Sequence, residues 1–447
     1  MSRSADPNST PAKANIVIIG AGLIGVSTAY YLTRNQNIHP ESSITLVEEV
    51  NVGTGSSGYS SGLLNKHEFG DGQEEEGESS NLNQELSNGG FQLHQQLSKE
   101  YQGDSNWGHR EIDLYDVEII DQTAKLNSNS TSPSSALSSS SSTSDPLSFL
   151  PTISSTSVRR KGDSSSTGYC QPSKLTRHLC GLFLSHPGAT LLIAKAISIT
   201  TSSGVGSDEK VTHDEAGKGT AFSSSSKADG NETDGSLTSS TNKTSTKRVT
   251  GVKVTRVVNG VEEIVNIPTD KLILSPGIKL SQLLKTILGG IETNIDVDVR
   301  KYERITIKPR EKINPCCVVC GVLTDNNNNG QTRNERVDDR EIEMIVKEDG
   351  NLIISRPSPS SSPSPSPLNR SEDLDLQSFI SNLSPKFQPS NGALVLSQTE
   401  WSSPMTPNRR PLIQKIEEID GIWIGVGGTT TQGPAIGKKL AFSVSGI

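Results

Sequence analysis

NIVIIGAGLIG, Asn15–Gly25, is the stretch that decides the reading of this chain. A short apolar run leads at once into G-x-G-x-x-G, made by Gly20, Gly22 and Gly25. Val26, Ala29, Tyr30 and Leu32 then recur near helical spacing before polar Arg34 and Asn35. Strand, glycine turn and helix in that order are the context a dinucleotide fingerprint requires. Gly20 suits the tight turn, Gly22 lets the backbone approach a pyrophosphate, and Gly25 lets the helix sit close on the strand. The helix start at Leu23 and Ile24 offers N–H groups and a partial positive charge to phosphates.

Ile44–Glu49, ITLVEE, reads as a second buried parallel strand ending in acid. Glu48 stands about two dozen residues past Gly25, close to the roughly 20 of the fingerprint. A carboxylate there accepts both ribose hydroxyls of an adenosine and repels a 2′-phosphate, which argues against NADP. Glu49 adjoins it. The competing reading is a glycine-rich turn in an unrelated α/β protein.

The length, 447 residues, suggests two domains or one large α/β domain with insertions. Only 31% of residues are apolar and 4% aromatic, a deficit concentrated in serine- and asparagine-rich tracts. The formal charge of −8 gives no reason to expect nucleic acid as partner, and much of the acid lies in Glu68–Glu78. The N-terminus lacks an apolar signal region, and no apolar run approaches a transmembrane length. The expected location is cytoplasmic, with peripheral association with an endosomal membrane as the alternative. Five cysteines, Cys170, Cys180, Cys316, Cys317 and Cys320, fit a reduced chain. Cys317 and Cys320 form C-x-x-C, but CCVVCGV reads as a buried strand, so no metal is expected.

Four tracts, Asn127–Thr167, Thr201–Thr246, Asn326–Asp339 and Ser355–Ser371, are too polar to offset chain entropy and read as disordered loops. Between them, helices are expected over Leu82–Gln102, Gln171–Leu184 and Pro434–Val444. Strands are expected at Arg110–Asp121, Ala189–Thr200, Lys271–Gly277 and Gly421–Gly428, with two more in Val297–Val322. Hairpins are expected to turn at Asn259-Gly260 and Asp349-Gly350. The fold class is therefore α/β: a Rossmann-like nucleotide-binding domain interrupted by a smaller α+β domain. A flexible terminus (1–14) precedes the first nucleotide-binding part (15–66), the second domain's first part (81–125) and an insertion (127–167). The nucleotide-binding domain resumes over 169–290, with an insertion at 201–246. The second domain resumes over 295–390, with low complexity at 326–339 and 355–371, and 391–447 closes the first.

Several blocks together resemble the D-amino-acid oxidase-like (glycine/sarcosine oxidase-like) FAD-dependent oxidoreductases. They are NIVIIGAGLIGVSTAYYLTR, ITLVEEVNVGTGSSGYSSGLL, QPSKLTRHLCGLFLSHPGATLLIAKAISI, RVTGVKV with KLILSPG, and PMTPNRRPLI with GIWIGVGGTTTQGPAIGKKLA. FQLHQQLSKEYQG and WGHREIDLYDV resemble a fungal branch of oxidoreductases in that family. The resemblance implies a glutathione-reductase-type FAD domain, FAD as cofactor and a small-molecule substrate. It also implies dioxygen or another electron acceptor, and oxidation of an amine or amino acid by hydride transfer to flavin N5. Ser56, Ser57, Gly58, Ser61, Gly62 and Leu63 would follow the acidic strand round the cofactor. Ala196 would lie by adenine, Ser275 and Gly277 where the chain returns, and Gly427, Gly428 and Gly433 at the flavin end.

Two departures stand out. GGTTTQGPAIG is shorter than the family's closing loop and lacks its histidine. The Arg or Tyr that holds a substrate carboxylate is missing from WSSPMTP and EIEMIVKEDG, which leaves Arg409, Arg410, Arg300 and Lys308 as open candidates and a solvated turn as the expected fate of the first two. No cysteine follows Cys320, and the loop after the second strand reaches Gly62 without a histidine, so FAD is expected to be non-covalent; His67 is expected at the surface. The rivals are an NAD-dependent dehydrogenase and a non-catalytic FAD-binding protein acting in intracellular trafficking.

Overall fold

The opening strand Asn15–Ile19 sits inside a six-stranded sheet of order Leu412–Lys415, Ile422–Val426, Lys271–Leu274, Asn15–Ile19, Ser43–Glu48, Ala189–Ile193. All neighbours run parallel except the edge strand Leu412–Lys415. The computed structural model describes residues 11–67, 78–120, 147, 155–203, 247–288, 295–326, 333–336, 342–358, 376–377, 380 and 384–446. Ile16, Val17 and Ile18 are all buried, as a strand covered on both faces demands. Ile16 and Ile18 pack under the helices Leu23–Thr33, Pro172–Leu184 and Gly433–Ser445. Val17 and Ile19 face the opposite way, with Leu272, Leu274, Ile422 and Ile424. They meet Val249, Val252 and Val254 of a second sheet, in which Lys247–Val258 pairs antiparallel with Lys195–Ser203 and Val261–Pro268 and parallel with Ile419–Asp420. Its hairpin turns at Asn259 and Gly260, with φ of 52° and 79°, the left-handed pair of a type I′ turn.

A larger sheet has the order Leu394–Met405, Asp298–Lys308, Leu352–Pro357, Ile342–Val346, Cys317–Asn326, Leu114–Ile120, Ser155–Gly162, with Arg333–Arg336 beside Cys317–Asn326. Its pairs are antiparallel except Leu114–Ile120 with Cys317–Asn326. The turn expected at Asp349-Gly350 lies between Ile342–Val346 and Leu352–Pro357. Cys316 and Cys320 face one core of this sheet and Cys317 the other, so C-x-x-C cannot gather both thiols on one ion. All five cysteines are buried and unbridged. Among the described residues no helix is long and apolar enough to cross a membrane.

Three expectations need correction. Ala189–Thr200 is not one strand: the chain breaks at Ala194, whose N–H donates to the Glu48 carbonyl at 2.8 Å, and passes from one sheet to another. The low-complexity tracts are ordered at their ends. Ser155–Gly162 pairs with Leu114–Ile120, and Thr201–Ser203, Asn326, Arg333–Arg336 and Ser355–Pro357 also lie in strands. Ladder hydrogen bonds are made by the backbone, so polar composition does not forbid them. Leu147, residues 163–167 and Ser358 are also described; the rest of those tracts and the acidic run over 68–77 lie outside the described residues. Finally, the helix Glu78–Tyr101 packs through Leu86, Phe91 and Leu97 into the helical layer of the parallel sheet, whereas Leu394–Met405 pairs with Asp298–Lys308 in the large sheet. Each element thus packs with the other sheet than the one expected for its span, 81–125 or 391–447.

Candidate functional site

The carboxyl ends of the parallel strands open into a cavity of about 920 Å³ that reaches across to the large sheet. Ligands bind α/β sheets at that end, where chain reversals leave a crevice. Gly20 turns the chain with φ of 102°, and a Cβ there would stand 2.3 Å from the Ser275 carbonyl oxygen. Gly22 is the N-cap of the helix Leu23–Thr33, which has no side-chain cap and no acid in its first turn. The Leu23 N–H donates to Ser57 Oγ at 2.9 Å. The second serine-bearing turn therefore braces the first.

Glu48 is already engaged. One carboxylate oxygen accepts the Ala21 N–H at 2.8 Å and the other the Val50 N–H at 3.1 Å. Each oxygen keeps a further lone pair for a hydroxyl. Glu49 lies 2.7 Å from Lys279 Nζ and 4.0 Å from Lys195 Nζ at the same end of the cavity.

Of the residues singled out from sequence, Gly20, Gly22, Leu23, Ile24, Glu48, Glu49, Ser56, Ser57, Ser61, Leu63, Ala196, Ser275, Gly277, Gly427, Gly428 and Gly433 line the cavity. Gly25, Gly58 and Gly62 do not. A Cβ on them would stand 1.9 Å from the Gly20 oxygen, 2.5 Å from the Gly53 oxygen and 2.0 Å from the Cys170 oxygen, so they serve chain packing. Arg300 and Arg409 reach the lining; Lys308 and Arg410 do not. Arg409 is exposed, in keeping with the expected turn, yet it stands at the cavity's edge.

Of the wall from the large sheet, Arg300 was named from the sequence and its neighbours were not. Arg300 and Tyr302 on one strand face Ser403 and Trp401 on its neighbour in antiparallel register. Tyr302 stacks on Trp401 with centroids 4.5 Å apart and 15° between planes, and the Arg300 guanidinium lies 5.7 Å from the Tyr302 centroid. Arg356 and Glu303 form a mostly buried ion pair at 3.0 Å. Only the strand register could have brought these residues together, and a single sequence does not print it.

The turn Thr429–Gln432 closes the cavity at its far end, with Gly427, Gly428, Thr429 and Thr430 in the lining. The helix Gly433–Ser445 that follows has no side-chain cap and no acid in its first turn. Behind the turn lies His94, fully buried, with Nε2 3.0 Å from the Thr430 carbonyl oxygen. A carbonyl only accepts, so Nε2 carries the proton; Nδ1 has no partner.

Burial pushes the His94 imidazole down to about 4, against the hydrogen bond to Thr430 and with help from nearby His109. In the unfolded chain a histidine titrates near 6.5. Between these values the unfolded state binds the extra proton, so this group's contribution is complete above about pH 6.5 and is lost as pH falls toward 4. At about 1.36 kcal/mol per pKa unit, the loss is about 3 kcal/mol. Urea melts at pH 7 and pH 4.5 should show the wild type losing more stability than His94→Gln. Equal losses would assign the acid sensitivity to other groups, among them His109, which burial also depresses.

The donor set suits an anionic dinucleotide. Two uncapped helix starts border the cavity, Gly22 leaves room for close approach, and the buried Ser275 hydroxyl has no partner within the protein. No histidine or cysteine lines the cavity among the described residues.

The model of the FAD-dependent oxidoreductase family, DAO, matches residues 15–222. The chain is 36% identical over 107 residues to "Putative oxidoreductase TDA3" of Saccharomyces cerevisiae, an alignment spanning 24% of this chain and 18% of that protein. It is 34% identical over 104 residues to the like-named C1F5.03c of Schizosaccharomyces pombe, spanning 23% and 25%. The chain thus aligns with a quarter or less of either curated relative. Glycine oxidase from Geobacillus kaustophilus shares the fold, with a TM-score of 0.58 over 97% of this chain and 95% of that one, at 14% identity.

Proposed function

We propose that this chain, whose residues 15–222 match the model of the FAD-dependent oxidoreductase family, holds FAD non-covalently in the cavity and oxidises a small amine or amino acid. The observation that carries this reading is one continuous cavity. It runs from the glycine turn and Glu48 to a wall of Trp401, Tyr302 and Arg300. Gly20, Gly22 and Ser57 would hold the pyrophosphate, Glu48 the ribose, and Thr429, Thr430 and Gly433 the flavin end. When bound, FAD supplies a two-electron acceptor for the substrate's hydride, and dioxygen or another acceptor restores it.

The protein's part is to bind, orient and exclude water. Trp401 and Tyr302 form a flat apolar plate opposite the parallel sheet. Arg300 beside that plate supplies a positive charge for a substrate carboxylate. An amine that arrives neutral needs no side-chain base. Among the described residues that line the cavity, no histidine or cysteine stands as a candidate for covalent attachment.

Anaerobic mixing of the yellow protein with a panel of amino acids and secondary amines tests the reading. Bleaching by a member of the panel supports it, and a panel with no bleaching overturns the catalytic part. Arg300→Ala should raise KM for a carboxylate-bearing substrate by roughly 10- to 100-fold, about 1.5–3 kcal/mol, with less change in kcat. An unchanged KM would remove Arg300 from substrate recognition.

A further inference from the structure

We propose that His94 is a positioning residue for the cofactor: from the far side of the closing turn it fixes the peptide groups that border the flavin end of the cavity. The proposal rests on the FAD reading above. One face of the helix Glu78–Tyr101 carries Asn83, Ser87, Gly90 and His94 at near-helical spacing, and all four meet this turn. The Gln432 amide donates to the Asn83 carbonyl at 3.3 Å and to Ser87 Oγ at 3.0 Å. Its oxygen accepts the Thr429 N–H at 3.2 Å, so the same side chain ties both ends of the turn. Gly90 allows the close approach: a Cβ there would stand 2.1 Å from the Thr431 oxygen.

His94 holds the middle, through the Thr430 carbonyl. A trans peptide is planar, so with that carbonyl directed at the helix, the N–H of Thr431 points away from it. Thr430 lines the cavity on its other side, where its hydroxyl lies 3.0 Å from that of Ser60. Leu at position 94 would fill the volume but offer no donor, leaving a buried carbonyl without a partner. Gln would reach with an N–H close to where Nε2 now lies.

Three measurements on the full chain test this: amide hydrogen exchange over 427–433 without cofactor, the FAD dissociation constant, and the midpoint potential of bound FAD. His94→Leu should speed exchange in the turn, weaken FAD about tenfold and lower the potential, because a drifting helix start stabilises anionic reduced flavin less. His94→Gln should restore all three. If His94→Leu does not fold, Ser87→Ala, which removes one anchor of Gln432, carries the same test with the same expected directions. A variant that lowers only the melting temperature, with exchange in the turn and the potential unchanged, overturns the proposal and leaves His94 as core packing. A wild type that takes up no FAD overturns the FAD reading instead, and exchange in the cofactor-free chain then decides whether His94 holds the turn.

Discussion

Gly20→Ala should yield a colourless protein, destabilised by roughly 3 kcal/mol or more. Two independent costs meet at this position. A φ of 102° lies where side chains other than glycine are strained, by about 1–3 kcal/mol. The new methyl would also stand 2.3 Å from the Ser275 oxygen, an approach that no rotamer relieves because the backbone fixes the Cβ and its neighbour is a backbone oxygen. The turn and the strand end at Ser275 must separate, and both border the cavity. Thermal melts and the flavin absorbance of the purified variant read the two effects. Gly22→Ala is the contrast. Its methyl meets only Ser57 Oγ, at 3.2 Å, so the fold should survive while FAD binds more weakly. Wild-type colour and stability in Gly20→Ala would mean the turn is not constrained as described.

The second large effect is expected at Glu48. Glu48→Ala removes the acceptor of the Ala21 N–H, within a residue that is fully buried, and of the Val50 N–H. An unsatisfied buried donor costs about 1–3 kcal/mol, and more where the lost acceptor was charged. The same change removes the proposed ribose acceptor, so FAD affinity should fall at least about a hundredfold, near 3 kcal/mol. Glu48→Gln keeps one acceptor oxygen and should fall between the two. Calorimetric titration of the cofactor-free variants with FAD, beside their melts, separates the structural loss from the binding loss. A Glu48→Ala protein that binds FAD as tightly as wild type would contradict the assignment.

The cavity-lining positions that sequence reading could name are those that local chain geometry determines. Gly20 and Gly22 are needed by the turn itself, and the strand, turn and helix around them lie within one short segment. Gly25 packs the helix onto the turn and strand, as its place in the fingerprint implies, and Gly58 and Gly62 show the limit of that logic. These two have the same residue type and neighbourhood, yet the space at their α-carbons is filled by carbonyl oxygens of Gly53 and Cys170. Sequence says that a side chain is excluded there, but not whether protein or ligand excludes it.

Tyr302 and Trp401 are about a hundred residues apart and meet only through antiparallel register. His94 was visible on an expected helix, but its partner, the Thr430 carbonyl, has no side-chain signature. The break at Ala194 was hidden because both halves of Ala189–Thr200 are strand-like; what changes is the sheet each joins.

The central claim is that the cavity at the ends of the parallel strands holds FAD. The most direct measurement is the visible spectrum of the purified full chain before and after denaturation, with titration of the cofactor-free protein by FAD. The account predicts flavin bands that leave with the soluble fraction on denaturation, one FAD per chain on titration, and a melting temperature that rises with added FAD. A colourless chain that neither takes up FAD nor gains stability from it would contradict the account.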